Sequence, residues 1–91
     1  MRSIPNEAQS YKRTPLFDEK SIPKGLLKDH KTKKDVWGKI HVVKGKLIYT
    51  IQSNPAEIVE LGPEAPGIVE PEVLHNVKPD GSVQFYVEFY K

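Results

Sequence analysis

Apolar residues occur along this chain in short runs rich in Val, Ile, Tyr and Phe, and turn residues separate the runs. Eight prolines and six glycines interrupt the pattern, and no window of 12 or more residues shows the 3.6-residue period of an amphipathic helix. Short runs of this kind are typical of antiparallel strands in a sandwich or barrel. The pattern therefore predicts an all-β fold, built as one domain over residues 1–91.

Four runs in the middle of the chain are predicted to be strands: 36–43, 46–52, 56–61 and 68–70. The first two are expected to form a hairpin, in which Gly45 of the Lys44-Gly45 turn takes a positive φ. Nearer the N-terminus, residues 8–14 are expected to form an edge strand. Ser21 is expected to cap a short helical turn that begins at Pro23.

A second predicted hairpin at the C-terminus singles out one histidine. Residues 73–78 and 82–90 flank Pro79-Asp80-Gly81, a sequence that favours a tight turn with glycine in the left-handed region. A three-residue loop of this kind sets His75 opposite Phe85. Alternation then places seven side chains on one face: Val73, His75, Val77, Val83, Phe85, Val87 and Phe89. Because this face is apolar, we expect His75 to be interior, where an imidazole needs a hydrogen bond or a ligand.

The composition narrows the chemistry. The chain has no cysteine, which excludes disulfides, thiolate metal sites and a cysteine nucleophile. No apolar run approaches the roughly 20 residues that span a bilayer, and the N-terminus has no signal-peptide pattern. There is no nucleophile elbow, phosphate loop or Ser-His-Asp order. We therefore expect a cytoplasmic protein without a membrane partner, and the sequence leaves open whether it is an enzyme.

Charge divides the chain into two halves. Residues 1–50 hold 12 Lys/Arg and 5 Asp/Glu, whereas residues 51–91 hold 2 and 7. The densest basic stretch is 28–34, and such a cluster can bind a polyanion. It lacks the interleaved aromatics and helical spacing of most nucleic-acid modules. We therefore interpret it as a solvated loop and do not expect a nucleic-acid partner.

Several short motifs follow one another in a distinctive order: Tyr11-Lys12-Arg13-Thr14-Pro15, His30, Trp37-Gly38-Lys39, Gly45, Glu70-Pro71 and His75. Together they resemble the N-terminal domain of tellurite-resistance protein B and the small stand-alone cupin-like proteins related to it. The resemblance covers nearly the whole chain. It implies a small cupin-like double-stranded β-helix and a role in resistance to tellurite or to similar oxyanion stress.

The resemblance also implies a metal site. In cupins, histidines from two motifs converge on a divalent metal such as Zn, Fe, Ni or Mn, and His30 and His75 occupy the corresponding places here. This sequence departs from the pattern, because the usual glutamate falls on Gly38 and the paired histidines of the first motif are missing. A carboxylate from elsewhere would complete the site, and Glu72 and Glu88 are the first choices. Further options are Glu70 and Asp29. The alternative is a hydrogen-bonded core histidine at 75 and a solvated one at 30.

Other residues suggest partners. Arg13 is a candidate for binding an oxyanion, since a guanidinium pairs with such groups in bidentate geometry. His41 alternates with core positions and is expected to face solvent or to pack between sheets. Tyr86 and Tyr90 lie on the outer face of the predicted hairpin and are candidates for a homodimer contact. Larger members of the family add a methyltransferase domain, but this sequence has no dinucleotide-type Gly-rich turn, so no methyl-donor site is expected.

Three hypotheses about function follow. The first is a small cupin-like protein of tellurite resistance that binds a divalent metal or a small ligand through the histidine pair. The second is a metal-dependent enzyme of dioxygenase or isomerase type, which needs the same pair and a carboxylate around a metal with open positions. The third is a non-catalytic interaction module that uses the basic residues 28–39 as its contact surface.

Overall fold

Two long strands form the centre of the computed structural model, which describes residues 3–91. Strand β3 spans Trp37–Ile51 and strand β6 spans His75–Tyr90, and the two pair along their whole length. The shorter elements are β1 (Ser10–Arg13), β2 (Phe17–Asp18), α1 (Lys24–Leu27), β4 (Glu57–Leu61) and β5 (Gly67–Val69).

The sheet is antiparallel in all of its described pairs. Its strand order is β1, β6, β3, β4, with β2 also pairing with β6 and β5 also pairing with β3. On the edge of β3 that faces away from β6, residues 38–40 pair with β5 and residues 47–51 pair with β4. The predicted all-β antiparallel fold is confirmed. None of the helices in residues 3–91 is both long and apolar enough to cross a membrane.

Both predicted hairpins are wrong. Each of them is a single long strand, and the pairing runs from Trp37 opposite Tyr90 to Ile51 opposite His75. Two irregularities interrupt this ladder, close to the predicted turns. The physical reason is that turn residues also suit a β-bulge, which bends a strand without reversing it and readily uses a glycine at positive φ.

Gly45 lies at the bend of β3. Its φ is +82°, and a Cβ atom there would collide with the backbone carbonyl of Ser82 in β6. The positive φ predicted for Gly45 is confirmed, and Gly81 in the facing bulge has a φ of +73°. Val43 is the unpaired extra residue of β3 and is 51% exposed. This residue shifts the alternation, so that even-numbered side chains point inward before it and odd-numbered ones after it.

The core follows from this alternation. Among residues 3–91 it contains twelve buried apolar residues, which are Ile22, Ile40, Val42, Leu47, Tyr49, Ile51, Leu61, Val69, Val77, Val83, Phe85 and Val87. The predicted inward face of the C-terminal strand is confirmed, with Val73 and Phe89 partly buried at its two ends. The inward residues are predicted correctly even though the hairpin is wrong. Val77 and Val83 lie an even number of residues apart, so both point inward on either side of the bulge at Gly81.

The N-terminal third closes one edge of this sheet. β1 pairs with the end of β6, which confirms the predicted edge strand, although the strand is shorter than predicted and spans only Ser10–Arg13. The predicted cap is wrong, because the Ser21 hydroxyl accepts a hydrogen bond from the backbone N–H of Asp18 at 2.8 Å, and α1 has no side-chain cap. After α1 the chain returns to β6 and pairs with it through His30.

Candidate functional site

The predicted histidine pair is adjacent in the structure. His75 begins β6 and is 4% exposed, whereas His30 lies in the extended segment after α1. Their backbones exchange two hydrogen bonds, each with an N to O distance of 2.9 Å. This isolated bridge places the two rings with centroids 4.1 Å apart and an interplanar angle of 59°. Backbone pairing, and not a turn, therefore brings the two imidazoles together.

Both imidazoles are held in the same way. The Nδ1 atom of His30 is 2.9 Å from the carbonyl oxygen of Lys28, and Nδ1 of His75 is 2.9 Å from that of Val73. A carbonyl only accepts hydrogen bonds, so each Nδ1 carries the hydrogen and donates it. In the neutral form of such a ring the lone pair is then on Nε2, which is the arrangement that these backbone contacts impose on metal-binding or hydrogen-bond-accepting histidines.

His75 is neutral near pH 7. Burial lowers the pKa of its imidazole below the ordinary value of 6.5, and the neighbouring His30 lowers it further. The carbonyl of Val73 and the charge of Asp29 act in the opposite direction but do not cancel the effect of burial. On another side, the Tyr49 ring meets the His75 ring edge-on at 5.7 Å, and the Tyr49 hydroxyl donates to the Ile68 carbonyl at 3.0 Å.

The two histidines line a cavity of about 330 Å³. Its other lining residues come from β1, from residues 26–36 and from the inward faces of β3, β5 and β6. They are Tyr11, Lys12, Thr14, Leu26, Lys31, Thr32, Lys33, Val36, Ile40, Val69, Val77, Phe85, Val87 and Phe89. None of these lining residues, all within the described part of the chain, carries a carboxylate, whereas three of them are lysines. The cavity thus has apolar residues inside, and lysines supply positive charge among its polar lining residues.

The carboxylates predicted as the third metal ligand lie elsewhere. Glu72 is exposed at a positive φ of 62°, and its backbone N–H donates to the Thr32 carbonyl at 3.2 Å. Neither it nor Glu70 lines the cavity. The Asp29 carboxylate accepts from the Asn76 amide at 2.7 Å. Within residues 3–91, no three His, Asp or Glu side chains are grouped closely enough to hold a metal ion.

Glu88, the other predicted ligand, lies on the outer face of the sheet at the centre of a polar network. It accepts hydrogen bonds from the Ser10 hydroxyl at 2.6 Å, from the Tyr90 hydroxyl at 2.8 Å and from His41 Nε2 at 3.1 Å. Arg13 Nη2 lies 3.7 Å from it. These donors, the Ser10 hydroxyl first and then the Tyr90 hydroxyl, lower the pKa of Glu88 to about 2. The carboxylate therefore stabilises the junction of β1, β3 and β6, on the opposite side of the sheet from His75.

Two further predicted residues belong to this outer face. His41 points away from the core as expected, but it is half-buried, because its ring stacks on Tyr86 with centroids 4.7 Å apart. Arg13 lies over the same Tyr86 ring at 5.1 Å from its centroid. Strand alternation sends Arg13 outward and its neighbours Lys12 and Thr14 to the cavity. The basic residue of this motif that reaches the cavity is therefore Lys12 and not Arg13.

Sequence reasoning missed the lysines at the cavity. Lys31 and Lys33 flank His30 in the basic stretch 28–34, for which the pattern alone predicts a solvated loop, and both are exposed at the cavity mouth. The dense positive charge beside a candidate histidine is the signal that points to them. That this loop lies beside the cavity depends on the pairing of His30 with His75, which the pattern does not reveal.

The fold and site define an antiparallel β domain with a cavity that a pair of adjacent histidines lines. The model of the TehB-like domain matches residues 12–87 of this chain. The chain belongs to the TehB-like family, and the resemblance to the N-terminal domain of tellurite-resistance protein B is confirmed.

Two curated relatives are longer than the region that matches this chain. The probable S-adenosyl-L-methionine-dependent methyltransferase TehB of Haemophilus influenzae (strain ATCC 51907 / DSM 11121 / KW20 / Rd) is 36% identical over 77 residues, which make up 80% of this chain and 27% of that protein. The protein of the same description from Haemophilus influenzae (strain 10810) is 34% identical over 77 residues, which again make up 80% of this chain and 27% of that protein. The chain thus spans about a quarter of the length of the curated relatives it matches.

Two crystal structures share the fold. The structure of TehB from Haemophilus influenzae superposes with a TM-score of 0.83 at 29% identity, over 93% of this chain and 32% of that one. A protein from E. coli (strain K12) superposes with a TM-score of 0.86 at 20% identity, over 100% of this chain and 97% of that one. The second likeness shows the fold alone, and it shows that fold in a chain of nearly the same length.

Proposed function

We propose that this chain is a small-ligand-binding domain, which holds a small anion in the cavity that His30 and His75 help to line. The observation that carries this proposal is the cavity lining, which combines three lysines with two histidines and has no carboxylate among the described residues. Positive charge at the entrance of a low-dielectric cleft raises the local concentration of anions and favours their binding. Oxyanions and carboxylates are therefore the ligand class that this cavity fits.

We further propose that the sheet is a cupin-type double-stranded β-helix over a single domain. The long paired strands β3 and β6, each bent at a bulge, support this assignment, since bulges of this kind let one ribbon contribute to two sides of a barrel. The inward-facing residues on both halves of the ribbon support it as well. In this arrangement the bent ribbon supplies the cavity wall and the segment 26–36 supplies its rim.

Membership of the TehB-like family suggests a biological role for ligand binding. We propose a role in resistance to tellurite or to similar oxyanion stress, in which the domain binds an anion and performs no methyl transfer itself. Methyl transfer is the probable activity of the longer Haemophilus protein. This sequence contains no dinucleotide-type Gly-rich turn, so we do not extend that activity to it. Location in the cytoplasm and a homodimer that uses Tyr86 and Tyr90 stay predictions.

A divalent metal in the cavity is the second candidate. The two Nε2 lone pairs of His30 and His75 favour it, because neutral imidazoles pinned through Nδ1 are common metal ligands. The rest of the lining does not fit, since structural and catalytic sites use three or four protein ligands and here no carboxylate joins the pair among the described lining residues. Lysines at the mouth also disfavour a cation. We therefore derive no metal-dependent reaction, of dioxygenase, isomerase or other type.

Titration of the untagged, chelator-treated chain distinguishes the two candidates. Its ¹⁵N NMR spectrum would be recorded with increasing acetate, nitrite or tellurite. We expect saturable shifts around the cavity for at least one anion. The double variant Lys31→Gln/Lys33→Gln should weaken that binding by about tenfold, because each partly exposed charge contact contributes up to about 1 kcal/mol. Lys44→Gln, which changes an exposed lysine away from the cavity, is the matched control.

The same protein would also be titrated with Zn²⁺ and assayed for bound metal after growth with metal supply. Stoichiometric metal that is lost in His75→Ala, together with no anion-dependent shift in the wild type, would overturn the anion proposal in favour of the metal. A partner that is retained at low salt through residues 28–39, with neither anion nor metal bound, would instead support the interaction module.

A further inference from the structure

The cavity has two chemically different ends. Its exposed lining residues, which form the mouth, are Tyr11, Lys12, Lys31 and Lys33. Its buried lining residues, which form the floor, are Ile40, Val69, His75, Val77, Phe85 and Val87. All of the lysine charge is at the mouth, and five of the six floor residues are apolar.

We infer that the ligand is an amphipathic organic anion, whose charged group stays at the mouth lysines while its hydrocarbon body fills the floor. This inference rests on the proposed function. It adds a second feature of the ligand, the hydrocarbon body, which the mouth lysines do not recognise. At about 330 Å³ the cavity is near the small end of ligand pockets, which span roughly 300–1,000 Å³. A body of a few carbon atoms, as in a short aliphatic or aromatic carboxylate, suits this volume.

The floor does not suit a bare inorganic anion. A charged group moved into an apolar site needs donors to replace its hydration. The polar side chain there is His75, whose Nδ1 hydrogen is already donated to the Val73 carbonyl. Its Nε2 atom presents a lone pair, which repels an anionic oxygen. Hydrocarbon on the floor, by contrast, gains the free energy of leaving water against Phe85 and Val77.

His75 also indicates what the buried end of the ligand carries. Its Nε2 has no hydrogen-bond partner within the described residues, yet no buried polar side-chain atom there is left unsatisfied, so this atom is open to the cavity. A ligand that covers Nε2 without a donor leaves it unpaired, which is unfavourable. A hydroxyl or N–H group at the far end of the ligand would donate to it. The best-fitting class is therefore an organic acid with a polar hydrogen remote from its carboxylate.

A ligand series tests the inference on the unmodified chain. Acetate, butanoate and hexanoate would be compared by calorimetry, with phosphate as the inorganic anion and hexan-1-ol as the uncharged control. We expect affinity to rise by roughly threefold to fourfold for each methylene that the floor buries. Hexan-1-ol should bind more weakly than hexanoate. 6-Hydroxyhexanoate should bind at least as tightly as hexanoate to the wild type, and more weakly than hexanoate to His75→Phe.

A matched pair of leucine variants localises the binding. Leu26 lines the cavity and is half-buried, whereas the next residue, Leu27, is exposed and does not line it. Leu26→Ser should weaken hexanoate binding several-fold and leave acetate binding nearly unchanged, because acetate has little hydrocarbon to lose. Leu27→Ser should change neither. NMR spectra of both variants establish that they are folded before affinities are compared.

The outcomes separate this inference from the proposed function. If phosphate or acetate binds as tightly as hexanoate and Lys31→Gln/Lys33→Gln weakens all of them, the cavity is an anion site but the amphipathic ligand is wrong. If hexanoate and hexan-1-ol bind equally well and the lysine variant has no effect, the cavity takes an uncharged apolar ligand and both proposals fail. If neither anion nor alcohol shifts any cavity residue, both proposals are likewise overturned.

Discussion

Strand β6 carries a side chain that can accept hydrogen bonds on each of its two faces, and the two side chains differ in whether their acceptor atoms are occupied. On the outer face, Glu88 accepts hydrogen bonds from Ser10, His41 and Tyr90. On the inner face, His75 uses only Nδ1 and leaves Nε2 open to the cavity. The outer network is satisfied by side chains of the same chain, which is typical of a structural role. The inner pair has hydrogen-bonding capacity that the other described residues do not use, which supports the proposed ligand.

This comparison shows why residue type alone does not identify a ligand-binding residue. Glu88 is a carboxylate of the type that binds metals, but its side chain is only 13% exposed and is engaged by donors of its own chain. Lys31 and Lys33 make the cavity positive although no motif marks them. Unused hydrogen-bonding capacity and uncompensated charge in a cavity are the better indicators of function.

The largest expected effect contrasts neighbouring residues on opposite faces. Phe85 is fully buried on the cavity floor, and Phe85→Ala should lower the free energy of unfolding by about 3–5 kcal/mol. Tyr86 lies half-buried on the outer face, and Tyr86→Ala should cost about 1 kcal/mol. Urea denaturation of both variants measures the difference. Equal losses would mean that the inner face is not the principal core.

The outer network should make stability depend on acid pH. The pKa of Glu88 is lowered from 4.5 to about 2, so the stability it contributes is complete above pH 4.5 and is lost as the pH falls towards 2. We expect the free energy of unfolding to fall by about 1–2 kcal/mol, because each hydrogen bond to the carboxylate makes only a modest net contribution to stability. Thermal or urea denaturation between pH 7 and pH 2.5 measures this loss of stability. In Glu88→Gln the slope of stability against pH should be smaller. An unchanged slope in Glu88→Gln would contradict the role assigned to this network.

The inner face should respond in a different pH range. Burial lowers the pKa of His75 below 6.5, so the unfolded chain takes up a proton first and the folded state loses stability as the pH falls below 6.5. His75→Phe should remove this part of the slope, while Glu88→Gln should keep it. NMR titration of the imidazole carbons gives the pKa of His75 directly. A value above 6.5 would contradict the effect that burial is expected to have on this imidazole.

The smallest effect is expected for an exposed ion pair. Lys46 Nζ lies 3.3 Å from Glu60 Oε1, with both side chains more than half exposed. Glu60→Gln should change the free energy of unfolding by no more than about 0.5 kcal/mol. It is the matched control for Glu88→Gln, since both remove one carboxylate charge at the sheet surface. A loss of stability as large as that in Glu88→Gln would show that low exposure and several hydrogen-bond donors do not make the contribution of Glu88 larger than that of an exposed ion pair.

Much of the fold could be predicted from the local pattern of apolar and polar residues. The short runs of Val, Ile, Tyr and Phe predicted an antiparallel all-β chain, and the period of two placed His75, Val77, Phe85 and Val87 on the inward face. What local pattern did not give was the pairing. Lys44-Gly45 suits a hairpin turn and a bulge equally well, and only the close approach of Gly45 to Ser82 in the folded sheet selects the bulge.

The sequence by itself therefore determined the strand content, the inward face of β6 and the interior position of His75, because these depend on alternation between neighbouring residues. Tertiary structure decided that His30 pairs with His75, that Glu88 lies behind the sheet and that Lys12, Lys31 and Lys33 surround the cavity mouth. These contacts join residues far apart in the chain. Their geometry is set by long-range strand pairing, which a local pattern of residues does not encode.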